Sequence, residues 1–267
     1  MEPELPLVRT VLDARGAATL TLNRPHRHNA LSAALIDALH SSLETAERDP
    51  RVRLVVLTGE GPTFCAGADI GEMRASAEVA LEDNEREAAR LAALLARLDR
   101  LSRPTVARVQ GNAFGGALGL IAACDIAVAA SGAVFALTEV RLGIVPAMIS
   151  PYLVRAIGAR QARRYFLTGE RIDATRAERI GLLHAAVPEA ELDGAIEALV
   201  GELLRGGPAA QAEAKRLVRY VSGRNEAVDG DVAEETARWI ARLRAGAEGR
   251  EGLAAFLEKR SPAWRDS

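Results

Sequence analysis

Thr105-Val106-Ala107-Arg108-Val109-Gln110-Gly111-Asn112-Ala113-Phe114-Gly115-Gly116-Ala117-Leu118-Gly119-Leu120 is the stretch on which the reading of this chain turns. The β-branched run Thr105 to Val109 reads as a strand, Gly111 to Gly116 as a turn, and the apolar residues that follow, up to Asp125, as a helix. A strand that runs through glycines into a helix exposes the unpaired N–H groups of the helix's first turn at the positive end of its dipole. Missing side chains let a ligand come close to that backbone. Glycines before a helix are also ordinary turn residues, so one such loop alone does not define a site.

A second segment with the same grammar lies upstream. Val52 to Leu57 reads as a buried strand ending in the loop signal Thr58-Gly59-Glu60-Gly61-Pro62. Phe64-Cys65-Ala66-Gly67-Ala68-Asp69-Ile70 then opens a helix through small residues, so two sets of backbone donors could converge on one oxygen.

The flanks extend the same alternation. Leu7 to Leu12 and Ala17 to Leu22 flank Asp13-Ala14-Arg15-Gly16 and predict a hairpin. Leu31, Leu35, Leu39 and Leu43 recur every fourth residue and predict a helix over Ser32 to Arg48. Leu91, Leu94, Leu95 and Leu98 predict another over Glu78 to Leu101, closed by Pro104. Short strands follow at Ile126 to Ala130 and Val134 to Leu137. After Pro188 only helices are predicted: Glu191 to Leu204, Pro208 to Val221, Val232 to Arg244 and Glu251 to Arg260. The expected organisation is an α/β core over 1–190, with a helical region over 191–267 that packs on it or on a neighbouring subunit.

Composition narrows the partners. The 34 Lys and Arg nearly balance 36 Asp and Glu, so no overall positive field favours a nucleic-acid backbone. Cys65 and Cys124 read as free, buried thiols. Met1 to Thr10 lacks a basic n-region and an apolar run, so no secretion and a cytoplasmic location are expected. The apolar run Phe114 to Cys124 is far short of the roughly 20 residues that cross a bilayer. His26, His28, His40 and His184 have no metal-site spacing. There is no Gly-x-Gly-x-x-Gly dinucleotide fingerprint, no Walker Gly-Lys-Ser/Thr and no Gly-x-Ser-x-Gly elbow.

Asn23-Arg24-Pro25 with Asn29-Ala30-Leu31, Phe64 to Ile70, Gly111 to Gly116 with Cys124-Asp125, and Phe135 to Gly143 together resemble the enoyl-CoA hydratase/isomerase (crotonase) superfamily. Leu167-Thr168-Gly169, Gly181-Leu182 and Phe256 through Lys259-Arg260 carry the resemblance to the carboxyl end. It implies a spiral of ββα units with carboxyl-terminal helices that mediate trimers, commonly paired into hexamers. It also implies an acyl-CoA thioester substrate and no separate cofactor. The amides of Ala68 and Gly116 would bind the thioester oxygen as it gains charge, a kind of donor whose loss typically costs roughly a hundredfold to a thousandfold in rate.

Glu139, in Leu137-Thr138-Glu139-Val140-Arg141, reads by itself as a solvated surface carboxylate. The resemblance implies instead the carboxylate that moves protons beside the thioester. A second Glu common in the family falls at Gly119, leaving one carboxylate for hydration or for double-bond isomerisation. Gly115 to Leu120, Glu139 to Gly143 and Ile149 to Tyr152 are further similar to bacterial methylglutaconyl-CoA and isoprenoid-glutaconyl-CoA hydratases. This implies water addition to 3-methylglutaconyl-CoA, giving 3-hydroxy-3-methylglutaryl-CoA, or the reverse.

A substrate of that kind carries a distal carboxylate, for which Arg74, Arg86, Arg141 and Arg155 are candidate cations. The resemblance brings CoA past Ala66, Ala68, Asp69 and Ile70, with Gly115 and Gly119 bordering the acyl group. Arg24, His26 and Arg27 are candidates for the CoA phosphates, against an exposed loop with no ligand. Phe256 and Lys259 match positions that in relatives reach a neighbouring subunit's CoA; an amphipathic helix explains them equally. Hydratase, isomerase and a catalytically degenerate CoA- or RNA-binding scaffold are the three functions carried forward.

Overall fold

The structure is a computed structural model that describes residues 5–76, 80–222 and 230–265. The hairpin is β1 (Val8–Leu12) and β2 (Ala17–Leu22), followed by α1 (Ala33–Arg48), β3 (Leu54–Gly59), β4 (Thr63–Cys65), α2 (Ile70–Ser76) and α3 (Leu81–Arg100). Next come β5 (Thr105–Val109), β6 (Asn112–Phe114), α4 (Gly116–Ala123), β7 (Ile126–Ala130) and β8 (Val134–Ala136). The remainder is α5 (Ser150–Thr168), β9 (Arg171–Asp173), α6 (Ala174–Arg179), β10 (Ala185–Val187), α7 (Leu192–Arg205), α8 (Pro208–Ser222), α9 (Gly230–Ala245) and α10 (Ala247–Glu258). The predicted start of α3 at Glu78 lies outside the described residues.

The strands form two sheets. One has the order β1-β2-β3-β5-β7-β10, the other β4-β6-β8-β9. β1 is antiparallel to β2 and β9 to β8; the remaining pairs are parallel. The chain therefore lays one strand in each sheet and then a helix, three times over: β3-β4-α3, β5-β6-α4 and β7-β8-α5. This is the spiral of ββα units that the resemblance implied.

Alternation along the first sheet decides which layer meets which face. Val55 and Leu57 point into the main core with Leu35, Leu39, Leu94, Leu95 and Phe135. Leu54, Val56, Val106 and Val128 point the other way, onto Leu192, Ile196 and Val200 of α7, as a period of two requires. The helical region expected from residue 191 thus begins with a helix that covers the first sheet. Beyond it, Lys215 of α8 reaches the core, its Nζ 2.7 Å from Asp125 Oδ2 and 2.9 Å from the Arg103 carbonyl. Asp125 also accepts from the backbone N–H of Thr105, at 2.7 Å, and from its hydroxyl.

α1 starts where Ser32 caps it, the hydroxyl accepting from the Leu35 N–H at 3.2 Å; such a cap satisfies one of the helix's orphan donors. Among the described residues no helix is long and apolar enough to cross a membrane.

Candidate active site

β4, β6 and β8 are parallel neighbours, β6 in the middle. Each ends where a predicted functional segment begins: Ala66 to Ile70 after β4, Gly115-Gly116 after β6, and Glu139 after β8. Parallel strands about 4.8 Å apart deliver the three segments side by side at one edge. Residues some 70 positions apart in sequence meet because consecutive turns of the spiral stack.

The first loop is tied down by its own backbone. The Leu31 N–H donates to the Gly67 carbonyl at 2.7 Å, and the Asp69 N–H donates to the Leu31 carbonyl at 3.1 Å, a parallel bridge centred on Ala68. Such a bridge uses the peptide groups flanking its central residue, so the Ala68 N–H is turned to the opposite side. Ala68 is exposed, and among the described residues its N–H has no acceptor.

Gly67 has φ +88°, and a β-carbon there would stand 2.6 Å from the Phe114 carbonyl oxygen and 3.7 Å from the Gly115 Cα. The two loops are therefore in backbone contact, and only glycine permits it. In the second loop the Gly115 N–H donates to the Ala136 carbonyl at 2.9 Å. The next amide, Gly116, is the first of α4 and likewise has no acceptor among the described residues, as expected of a helix's first turn.

Glu139 opens a short 3-10 turn and is half-buried. Its Oε1 stands 3.1 Å from the point a Gly115 β-carbon would occupy. Its Oε2 is buried with no hydrogen-bond partner among the described residues. Burial pushes this carboxyl above its ordinary value, opposed only by a bond from its own N–H. A carboxyl perturbed this way holds a proton more readily than a solvated one does.

Gly119 is buried in α4. A β-carbon there would stand 2.2 Å from Ile149 Cγ2, 2.9 Å from Ile149 Cβ and 3.3 Å from Leu95 Cδ1. Side chains of other elements thus fill the direction in which a side chain at 119 would point.

The remaining predicted residues separate into groups. Arg24 is drawn inward: it donates to the Ala30 carbonyl at 2.8 Å and pairs with Asp69 at 3.3 Å, tying the amino-terminal loop to the Ala66 to Ile70 loop. For Asp69, burial raises the carboxyl, but bonds from the Gly71 N–H and the Arg24 guanidinium outweigh it and hold the group below its ordinary value. Ala66 is half-buried, its N–H donating to the His28 carbonyl, whereas Ile70 is 82% exposed. His26 and Arg27 are exposed on the turn Pro25–Arg27. Phe256 and Lys259, at the end of α10, are also exposed, on a helix that packs against α8 and α9.

Of the four candidate arginines, Arg86 pairs with Asp83, Arg155 pairs with Asp99, and Arg141 donates to the Thr168 carbonyl. Arg74, exposed on α2, has no partner among the described residues. Burial pushes the Cys65 and Cys124 thiols up to about 12, so neither is a thiolate nucleophile near neutral pH.

Two contributors escaped the sequence reading. Asn29, fully buried at φ +54°, donates from Nδ2 to the carbonyls of Glu60 (2.9 Å), Thr63 (2.8 Å) and Phe64 (3.2 Å) and accepts from the Arg24 N–H. It organises the approach to the first loop. Asn29 stood in a quoted motif, but nothing local marks such long-range acceptors. Ile149 is the other: its role is visible only opposite Gly119.

The family model for enoyl-CoA hydratase/isomerase matches residues 13–267. The chain is 36% identical to a 2,3-dehydroadipyl-CoA hydratase of Escherichia coli, over 92% of this chain and 94% of that protein. It is 34% identical to a mevalonyl-coenzyme A hydratase of Aspergillus fumigatus, over 93% and 91% respectively. Its fold is similar to the crystal structure of an enoyl-CoA hydratase from Shewanella pealeana, with TM-score 0.92, 41% identity and coverage of 97% of this chain and 96% of that one.

Proposed function

The chain belongs to the enoyl-CoA hydratase/isomerase family, and from that premise we propose that it adds water across the 2,3 double bond of an enoyl-CoA, or removes it in reverse. The carrying observation is the Glu139 carboxylate lying against Gly115, next to a loop pair whose Gly116 and Ala68 N–H groups have no acceptor among the described residues. In this reading the thioester oxygen accepts from both amides. Their positions are fixed before reaction, so they stabilise the charge that gathers on that oxygen as C2 becomes enolate-like.

Glu139 takes a proton from water as the water oxygen bonds to C3, then delivers that proton to C2. The net change is one H and one OH across the double bond, and the carboxylate is returned to its starting state. A raised carboxyl narrows the gap between taking and giving the proton.

The acyl group proposed is 3-methylglutaconyl. Two relatives' names support its parts: adipyl is a dicarboxylic acyl group, and mevalonyl carries a 3-methyl branch. Arg74, on the helix that leaves the first loop and without a partner among the described residues, is the proposed cation for the distal carboxylate. Ala66, Asp69 and Ile70 border the CoA path, with His26 and Arg27 toward its phosphates. Assembly through the carboxyl-terminal helices as a trimer or hexamer belongs to the same proposal. Its support is the exposed apolar face Leu253, Phe256 and Leu257 of α10, a larger cluster than isolated surface side chains usually make.

The apolar filling opposite Gly119 favours one second reading, isomerisation, in which a single carboxylate moves a proton between two carbons. Incubation with 3-methylglutaconyl-CoA and with a 3-enoyl-CoA separates the two by mass. A gain of one water on the first substrate supports hydration. Double-bond movement in the second without a mass change, together with an inert first substrate, overturns it.

A further inference from the structure

Gly116 and Gly119 lie three residues apart on one face of α4. The directions their side chains would take end on hydrocarbon: Leu31 Cδ1 at 3.1 Å and Leu91 Cδ2 at 3.5 Å from a β-carbon at 116, Ile149 and Leu95 at 119. Ile149 is 2% exposed and stands at the start of α5, where its carbonyl accepts from the Leu153 N–H at 3.1 Å. Its β-branch is held in the core beside Leu95 and Leu153. An interior packed to this density answers an added atom with strain.

We propose that Ile149 fixes this centre as a one-carboxylate site. It fills the volume that a side chain at 119 would enter, so a second acid cannot be placed there unless Ile149 is first removed. The proposal rests on the hydratase reading and adds to it the positioning residue that leaves Glu139 to carry the proton alone.

The consequence reaches the pH profile. A site with one carboxylate that begins as a base loses kcat/KM tenfold per pH unit below that group's pKa and has no alkaline limb from a second acid, whereas an acid and a base together give a bell. The other titratable groups on the elements around Glu139 include Tyr152 of α5, whose hydroxyl burial pushes above its ordinary value and whose ring lies under the Arg155 guanidinium. Arg141, on its own turn, donates to the Thr168 carbonyl. On α5, Arg155 pairs with Asp99, Arg164 with Glu170, and the Tyr165 hydroxyl accepts from Arg176, while Arg160 and Arg163 line a separate cavity of about 410 Å³. Asp69 and Arg24, beside the first loop, pair with each other.

The test has a stability arm and a kinetic arm. Alanine is the better helix former, so at an uncrowded helical position Gly→Ala stabilises. Here Gly119→Ala should lower Tm by about 5 °C or more, and the same change in the Ile149→Gly background should cost far less. In hydration of 3-methylcrotonyl-CoA the wild type should show the acidic limb alone, and Gly119→Glu/Ile149→Gly should gain an alkaline limb. An equal cost of Gly119→Ala in both backgrounds overturns the proposal. So does a folded Gly119→Glu single variant that acquires the alkaline limb with Ile149 in place, or a folded double variant that does not acquire it. A wild type that hydrates no enoyl-CoA overturns the hydratase reading, and the Tm comparison then decides the role of Ile149 by itself.

Discussion

Glu139 lies against the backbone of Gly115, its Oε1 3.1 Å from where a β-carbon on residue 115 would stand. Gly115 also has φ +51° and ψ −122°, a conformation L side chains rarely adopt. Gly115→Ala should therefore crowd the carboxylate and strain the turn that aims the Gly116 N–H. The expected result is a loss of kcat of about a hundredfold or more with far-UV circular dichroism unchanged, since in the proposed mechanism this amide acts on the reacting charge. Steady-state hydration kinetics check it.

The carboxylate itself makes a two-sided prediction. Glu139→Gln removes the proposed proton carrier and should lower kcat about a hundredfold to ten-thousandfold. The same variant should be more stable than the wild type at neutral pH. Burial raises the folded carboxyl above its unfolded value, so its linkage stabilises the fold below the unfolded pKa and is lost as pH rises through the folded one. The Tm advantage of Glu139→Gln should be present at pH 7 and shrink as pH falls toward the carboxyl's ordinary value of 4.5, because the fold takes up the proton before the unfolded chain does. Thermal melts across that range measure it.

Asn29 carries a stability prediction. Asn29→Ala takes one hydrogen bond from each of three carbonyls, of Glu60, Thr63 and Phe64, the last two at buried contacts, and removes a side chain that tolerates φ +54°. Unsatisfied buried groups cost about 1–3 kcal/mol each. With partial relaxation the total loss should be about 3 kcal/mol in urea unfolding, with weakened CoA binding because the first loop loses its anchor.

Arg74 carries the specificity prediction. Arg74→Ala should raise KM for 3-methylglutaconyl-CoA about tenfold or more while leaving 3-methylcrotonyl-CoA, which lacks the distal carboxylate, nearly unchanged, because a charge-assisted bond is lost in only one complex. Equal effects on both substrates would remove Arg74 from the acyl pocket.

Much of this arrangement is legible along the chain, for identifiable reasons. Strand, glycines and helix start leave a local signature at Phe64 to Ile70 and at Gly111 to Gly116, and four-residue leucine spacing marks α1 and α3. The convergence of the three segments is not local. It depends on β4, β6 and β8, strands of three residues each, too short to show alternation. Arg24 reads as an open cation because its partner Asp69 lies 45 positions away. Gly119 reads as a missing carboxylate, whereas its physical meaning comes from Ile149, in a loop on the next turn of the spiral.

The most direct measurement is a crystal structure with a 3-hydroxyacyl-CoA bound. The expected result has the thioester oxygen within about 3.1 Å of both the Ala68 and Gly116 nitrogens, with the Glu139 carboxylate beside C2 and C3. A thioester oxygen that meets neither amide, or a Glu139 turned away from the acyl chain, would contradict the assignment.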